Sequence, residues 1–231
     1  MNHGDHHYFV LHTSDLAASS AFFHQLLGWK IDNGEVTNTN FLGALSEQHD
    51  RALWVHVDDC ERTVARVAEL GGQPGEIVHS PSGANATCTD DQGNTFHIGT
   101  LIEEYQHLDH PPRLATGELG YATFPVGDTE RAVRFHHQLL GWEFTDPGEA
   151  GIQTGYRHCT NGSIPFGFTT GGDADPSLYF EVADAAAIGS TVTSLGGSHG
   201  PLISSDNGDT LTGCVDPAGV RFQLWQAPPA A

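Results

Sequence analysis

Basic residues are scarce in this chain: 9 lysines and arginines stand against 29 aspartates and glutamates, a net charge of −20 at pH 7. A surface of that sign repels phosphate backbones and anionic lipid, so nucleic acid and membrane surfaces are excluded as expected partners. Solubility is the ordinary use of such acidity. No run of apolar residues is long enough for a membrane-spanning helix. The opening MNHGDHHYFV has neither the basic nor the apolar region of a secretory signal, which makes a cytoplasmic location the expectation. The four cysteines, Cys60, Cys88, Cys159 and Cys214, form no CxxC pair, so reduced thiols in or near the core are expected rather than a disulfide framework. The GxSxG, P-loop and HExxH patterns are missing too, leaving nucleophile-triad and nucleotide chemistry without a carrier. What the chain does have is 15 histidines, whose titration makes its charge pH-dependent near neutrality.

It also repeats itself. The run HQLLGW occurs at residues 24–29 and again at 137–142, and the same displacement of 113 positions carries Tyr8 onto Tyr121, Asp15 onto Asp128 and Phe22 onto Phe135. Farther on, LWVHVDD through LGG (53–72) returns as LYFEVAD through LGG (178–197), and CTDDQGNTFHI from Cys88 returns as CVDPAGVRFQL from Cys214. The later displacements are 125 and 126, so residues were inserted in the second copy between the first and second blocks. A repeat of roughly 110 residues is too long for a solenoid unit and suits two domains of ordinary size. The expected division is 1–107 and 117–231, with a linker at 108–116 marked by a proline pair and no apolar period.

Each half spells the same grammar twice. HHYFVLHT predicts a strand; Asp15 then caps a helix bearing Leu16, Phe22, Phe23, Leu26 and Leu27, and Gly28 stops it. The counterpart helix runs from Asp128 to Leu140 and stops at Gly141. Trp29 and Trp142 open short strands, WKID and WEFT, and are expected to pack helix on sheet. The second unit gives strand LWVHV, cap Asp59, a helix with Val64, Val67 and Leu70, and Gly71; its copy gives LYFEV, Asp184, a helix with Ile188, Val192 and Leu195, and Gly196. FLGALS, IPFGFTT, ATCTD, NTFHIGT and VRFQLW supply further strands. Asp90, Gly93, Asp216 and Gly219 read as turn residues before the last strands. The sum is an α+β chain of four βαβββ units.

The segments VLHTSDLAASSAFFHQLLGW and FPVGDTERAVRFHHQLLGW, with the endings DDQGNTFHI and DPAGVRFQL, resemble the vicinal oxygen chelate superfamily, which includes glyoxalase, bleomycin-resistance and extradiol-dioxygenase proteins. The resemblance implies two tandem glyoxalase-like domains, each a curved mixed sheet forming a cup with helices outside. It also implies where metal-dependent relatives hold an ion: seven residues before the first cap, on the fourth strand, where neither copy offers an assignable ligand, at the start of the fifth strand and in the last strand. This chain has Tyr8, Ala52 and His97 there in one half, and Tyr121, Ser177 and Gln223 in the other. A phenol must lose a proton of pKa about 10 before it binds a divalent ion well, and alanine or serine does not replace histidine. No cofactor is therefore expected, with a divalent metal kept as an alternative.

Strand alternation turns residues two apart to one face. The first cup is thus expected to present Tyr8, His12, Trp54, His56 and His97, and the second Tyr121, Tyr179, Glu181 and Gln223. His12, His56 and His97 admit three readings: an unconventional metal site, hydrogen-bonding groups of an organic-ligand site, or residues too far apart to cooperate. His24, His136 and His137 are expected on the helix surface, and His3, His6 and His7 as a cluster arising by chance in a mobile terminus. The insertion between Gly151 and Pro176 is expected to form a loop over the second cup. Two functions from different classes follow: a small-molecule binding protein without the family ion, taking an aromatic metabolite or antibiotic, or a lyase, isomerase or dioxygenase that uses a cup histidine or a histidine-held metal. Oligomeric state stays open.

Overall fold

The computed structural model describes residues 1–102, 116–146, 155–171, 175–205 and 208–228. Most of the expected linker at 108–116 lies outside them. Four helices follow the predicted caps. Asp15 Oδ1 accepts from the Ala18 N–H (2.9 Å) at the start of α1 (Leu16–Leu27), and Asp128 Oδ1 from the Arg131 N–H (3.1 Å) at the start of α3 (Thr129–Leu140). Asp59 and Asp184 do the same for α2 (Cys60–Glu69) and α4 (Ala185–Ser194). Gly28 and Gly141 end α1 and α3 at φ 73° and 72°, the left-handed conformation that glycine enters without a Cβ penalty.

The strands form two mixed eight-stranded sheets, one from each half of the sequence, which makes the fold α+β with no closed barrel. From the first half come β1 (His6–His12), β2 (Ile31–Asp32), β3 (Glu35–Val36), β4 (Leu42–Ser46), β5 (Ala52–His56), β6 (Ile77–Ser80), β7 (Gly83–Thr89) and β8 (Thr95–Leu101). They lie in the order β2-β3-β4-β1-β5-β8-β7-β6, with β5 and β8 parallel. The second half supplies β9 (Leu119–Val126), β10 (Tyr156–Cys159), β11 (Phe166–Thr170), β12 (Ser177–Glu181), β13 (Ser198–His199), β14 (Ile203–Ser204), β15 (Thr210–Val215) and β16 (Arg221–Gln226). Their order is β10-β11-β9-β12-β16-β15-β13, with β14 on β15 and with β12 and β16 parallel. In both sheets the strands that precede the helix caps, β1 and β5 in one and β9 and β12 in the other, occupy equivalent central places, as the duplication requires.

Two expectations change here. The described part of the insertion expected as a loop over the second cup instead builds β10 and β11, which pair antiparallel, and β11 joins β9 in parallel. Residues 147–154 and 172–174 of that stretch lie outside the described residues. WEFT forms no strand of its own; Phe144 makes a single bridge to Cys159, flanked by Thr145 N–H to His158 O and Thr160 N–H to Glu143 O.

Packing gathers the chain into two compact units, each drawn from both halves. The first contains Met1–Tyr8, the run starting at Ala52 and the run Ala122–Pro176; the second contains Phe9–Arg51, the run ending at Tyr121 and the run starting at Ser177. In the second unit the Trp29 ring stacks on Phe23 of α1 (4.8 Å) and meets Phe9 and Phe180 of the strands, while its Nε1–H donates to Gly117 O (2.9 Å). The first unit repeats the arrangement with Trp142 against Phe166 (4.6 Å) and Nε1–H donating to Gly4 O (2.8 Å). Gly4 and Gly117 are themselves 113 positions apart, so the sequence displacement persists in the hydrogen bonding. All four cysteines are buried and unbridged. Asp90 and Asp216 are buried in the turns expected of them: Asp90 accepts from the Gln92 and Asn94 N–H groups, Asp216 from those of Ala218 and Val220.

Candidate functional site

In the first unit the parallel register sets Trp54 of β5 beside His97 of β8 and His56 beside Gly99, and the antiparallel register sets Thr87 beside His97 and Asn85 beside Gly99. Side chains of register partners leave a sheet on the same side, so Trp54, His56, Asn85, Thr87 and His97 share one face. Contacts agree. The Trp54 and His97 rings are 4.9 Å apart, and His97 Nδ1 is 3.0 Å from Thr87 Oγ1.

Gly99 leaves a gap in that face, and His7 reaches over it: a Cβ built on Gly99 would meet His7 Nε2 at 3.8 Å and Asn85 Cβ at 3.5 Å. The His7 and His56 rings are 6.4 Å apart and nearly perpendicular. Both are buried, with 6% and 3% of their surface exposed, and His7 Nε2 and His56 Nδ1 have no hydrogen-bond partner. Burial, helped by the neighbouring His56, pushes His7 down to about 3, so its ring is neutral at physiological pH. His56 is lowered too, chiefly by burial, with Asp58 acting the other way; Asp58 Oδ1 lies 3.9 Å from His56 Nε2.

The terminal histidines are therefore structural, contrary to the expectation of a mobile chance cluster. His6 is fully buried between Phe124 and Trp142, with Phe166 edge-on, and burial takes it to about 3. Nor is His136 a surface residue. It is 5% exposed and stacks on Trp142 from the side of α3, whereas His24 and His137 are exposed and hold Trp29 O and Trp142 O through Nδ1. Successive residues of a helix with 3.6 residues per turn point about 100° apart, which places His136 inside and His137 outside. His7 carried no signal in the sequence beyond its place in an apolar strand.

His12 stands apart from the other residues expected in the first cup. It belongs to the second unit, is exposed, and has Nδ1 3.1 Å from His49 O. Tyr8, half-buried, belongs to the first unit with Trp54, His56 and His97.

The second unit brings together the other expected group. Tyr121 and Tyr179 meet edge to face at 5.4 Å, and the β12–β16 register sets Tyr179 beside Gln223 and Glu181 beside Trp225. All of these are half-buried. Glu118, which the sequence reading did not single out, adds a second carboxylate: the Glu181 N–H donates to Glu118 O, and Glu118 Oε2 accepts from the Asn40 N–H. Burial and the nearby Glu181 push Glu118 up to about 7. Two carboxylates and two phenol rings suit a basic group attached to an aromatic body.

The glyoxalase-like domain profile matches residues 8–99. Over 110 residues the chain is 30% identical to the anthracycline biosynthesis protein DauV of Streptomyces sp. (strain C5), a match spanning 40% of this chain and 40% of that protein. Among solved structures, the homoprotocatechuate 2,3-dioxygenase of Arthrobacter globiformis superposes with a TM-score of 0.69 at 15% identity, over 98% of this chain and 80% of that one. The Mn(II)-bound glyoxalase of Novosphingobium aromaticivorans gives 0.67 at 13%, over 97% and 82%, and the 2,3-dioxygenase LapB of Pseudomonas sp. KL28 gives 0.67 at 11%, over 99% and 94%. At such identities these three likenesses are of fold alone. Residues 8–99 carry a glyoxalase-like domain, and the chain has the fold of vicinal oxygen chelate proteins.

The superfamily's metal-dependent members raise the question whether these residues fit an ion. Of the first-half positions, Tyr8 offers a phenol, Ala52 a buried methyl, and His97 an imidazole already engaged by Thr87. In the second half Tyr121 packs on Tyr179, and Ser177 and Gln223 are weak donors. A catalytic ion needs about three protein ligands. Among the described residues no three His, Cys, Asp or Glu side chains form a metal-holding group, the trio His12, His56 and His97 included. The residues present do not fit the superfamily's ion.

Proposed function

We propose that this protein is a glyoxalase-like small-molecule binding protein that takes a flat aromatic metabolite or antibiotic without the family metal centre. The observation that carries this reading is the Trp54–His97 wall over an interior of neutral, buried imidazoles, in a chain whose family ion positions hold Tyr8, Ala52 and His97. Aromatic walls with a few polar anchors are how proteins hold small organic ligands. The relative named for anthracycline biosynthesis supports fused aromatic rings as the first class to test. Tyr121, Tyr179, Gln223 and the Glu118–Glu181 pair would take a ligand bearing an amine, an ammonium being attracted by both carboxylates and ring faces.

Titration with a panel of fused-ring aromatic natural products, followed by quenching of the four tryptophans, tests the proposal. Saturable quenching by at least one compound is expected; no response from any of them at high micromolar concentration would overturn it.

A second reading, catalysis, is favoured by one observation: His56 keeps an unpartnered imidazole nitrogen on the aromatic face. A neutral imidazole can remove a proton next to a carbonyl, as lyase and isomerase chemistry requires. His7, at about 3, is too weak a base for that at neutral pH, so the reaction would rest on His56. Deuterium uptake from D2O at the activated carbon of a bound ketone, lost in His56→Phe, would establish it. Metal-assisted isomerase, lyase or dioxygenase chemistry predicts about one equivalent of Fe, Mn, Ni or Zn in protein lacking its first ten residues' histidines.

A further inference from the structure

Two buried imidazole nitrogens without partners, on one sheet face and under an aromatic wall, are an expensive arrangement. An unsatisfied polar atom of this kind lowers folding stability, and His7 and His56 present one each. The neighbouring side chains do not relieve them. Gly99, beside the His7 ring, offers no side chain, and the His97 ring against Trp54 is turned to Thr87 Oγ1 through Nδ1. Gly99 keeps the strand free of a side chain beneath His7: a Cβ there would be in ordinary contact with Ala84 O (3.4 Å), Asn85 Cβ (3.5 Å) and His7 Nε2 (3.8 Å).

Asp58 beside His56 Nε2 favours the tautomer with the proton on that nitrogen, which leaves Nδ1 as a bare acceptor. An acceptor of that kind, in an apolar surround, selects a donor that stays neutral, and a phenolic hydroxyl is such a donor. His7, kept uncharged by its burial, supplies either a donor or an acceptor to the oxygen next along the same ring system.

We propose that His7 and His56 are the specificity-determining pair of the first unit's ligand site, and that they recognise adjacent oxygens of a hydroxylated flat aromatic, with Trp54 and His97 covering its ring. This deepens the binding function proposed above and rests on it. His7 is a residue that positions and selects rather than reacts. Ligands lacking the hydroxyl leave the two nitrogens unpaired and are rejected; hydroxylated ones satisfy both. Sites built around a hydrogen-bonding group discriminate in this way, because the cost of the unpaired group falls on the wrong ligand.

The test compares 2,3-dihydroxyanthraquinone with anthraquinone, which has no hydroxyl, on the full chain by tryptophan quenching. Wild type is expected to prefer the hydroxylated probe by about tenfold or more, while His7→Phe and His56→Phe each reduce that preference to near unity and keep the affinity for anthraquinone. Because a variant can fail by misfolding, imidazole 15N spectra of the wild type provide a second reading: the His56 Nδ1 resonance should move on adding the hydroxylated probe and stay on adding anthraquinone. A preference that survives in both variants, or a His56 signal indifferent to the hydroxylated probe when it binds, overturns the assignment of this pair. Absence of binding by either probe to wild type, with all other aromatics silent as well, overturns instead the binding function on which it rests.

Discussion

At the scale of single residues, the most consequential side chains are histidines that the fold keeps uncharged. Burial holds His6 and His7 near 3 and His136 near 4, the last against the opposing pull of Asp90 and Asp91, while an unfolded chain takes up these protons near 6.5. Between those values the unfolded state binds more protons than the native one, so stability is full above pH 6.5 and is lost as pH falls toward the folded values. Each such histidine can remove about 1.4 kcal/mol per pH unit in that window. Urea unfolding from about pH 8 to about pH 5 should show the midpoint falling steadily below pH 6.5, and His6→Phe should flatten that fall. At neutral pH His6→Phe should stay within about 1 kcal/mol of wild type, since both His6 ring nitrogens are unpartnered and the stack on Trp142 survives the change. A midpoint that does not move with pH would contradict the buried, neutral state. Trp29→Phe removes both a fully packed ring and the donor to Gly117 O, and should cost about 2–3 kcal/mol by the same measurement.

At the scale of elements, the caps are the clearest case of sequence dictating structure. All four aspartates read as helix starts accept backbone N–H groups in the first turn, and Gly28 and Gly141 have the positive φ that a helix stop of this kind needs. Asp15→Ala and Asp128→Ala should each cost about 1 kcal/mol, and Gly28→Ala about 1–2 kcal/mol through its left-handed backbone alone, because nothing lies within 4 Å of the added Cβ. Equal denaturation curves for Gly28→Ala and wild type would show that the backbone there relaxes. Strands were legible where polar and apolar residues alternate or β-branched residues cluster, as in LWVHV and FLGALS. The two-residue strands β2, β3, β13 and β14 are too short to carry a period, and WEFT failed as a strand because its pairing with the β10 segment is a single bridge at Phe144 with one hydrogen bond on either side. The alternation that set Trp54, His56 and His97 on one face was readable; that His7 folds over Gly99 was not, since it depends on a long-range approach that no local pattern encodes. Glu118 escaped notice for the same reason, its pairing with Glu181 arising across 63 positions of chain through the Glu181 N–H bond.

For the whole molecule, the duplication was the signal that made the fold readable, because two copies of one pattern separate what folding needs from what each copy does on its own. Caps, glycine stops, the tryptophans and the aspartate turns recur in both halves, and each of these now has a packing or hydrogen-bonding reason. Of the expected site residues, Tyr8 recurs as Tyr121, but His56 is replaced at its equivalent position by Glu181 and His97 by Gln223. No helix among the described residues is long and apolar enough to cross a membrane. Divergence of such positions on a retained scaffold is the pattern of a fold reused for different ligands. The decisive measurement is aromatic-ligand titration by tryptophan quenching on protein exhaustively treated with chelator, side by side with protein resupplied with Fe(II) or Mn(II). The account predicts the same saturable quenching in both. Binding that appears only after an ion is restored would contradict it.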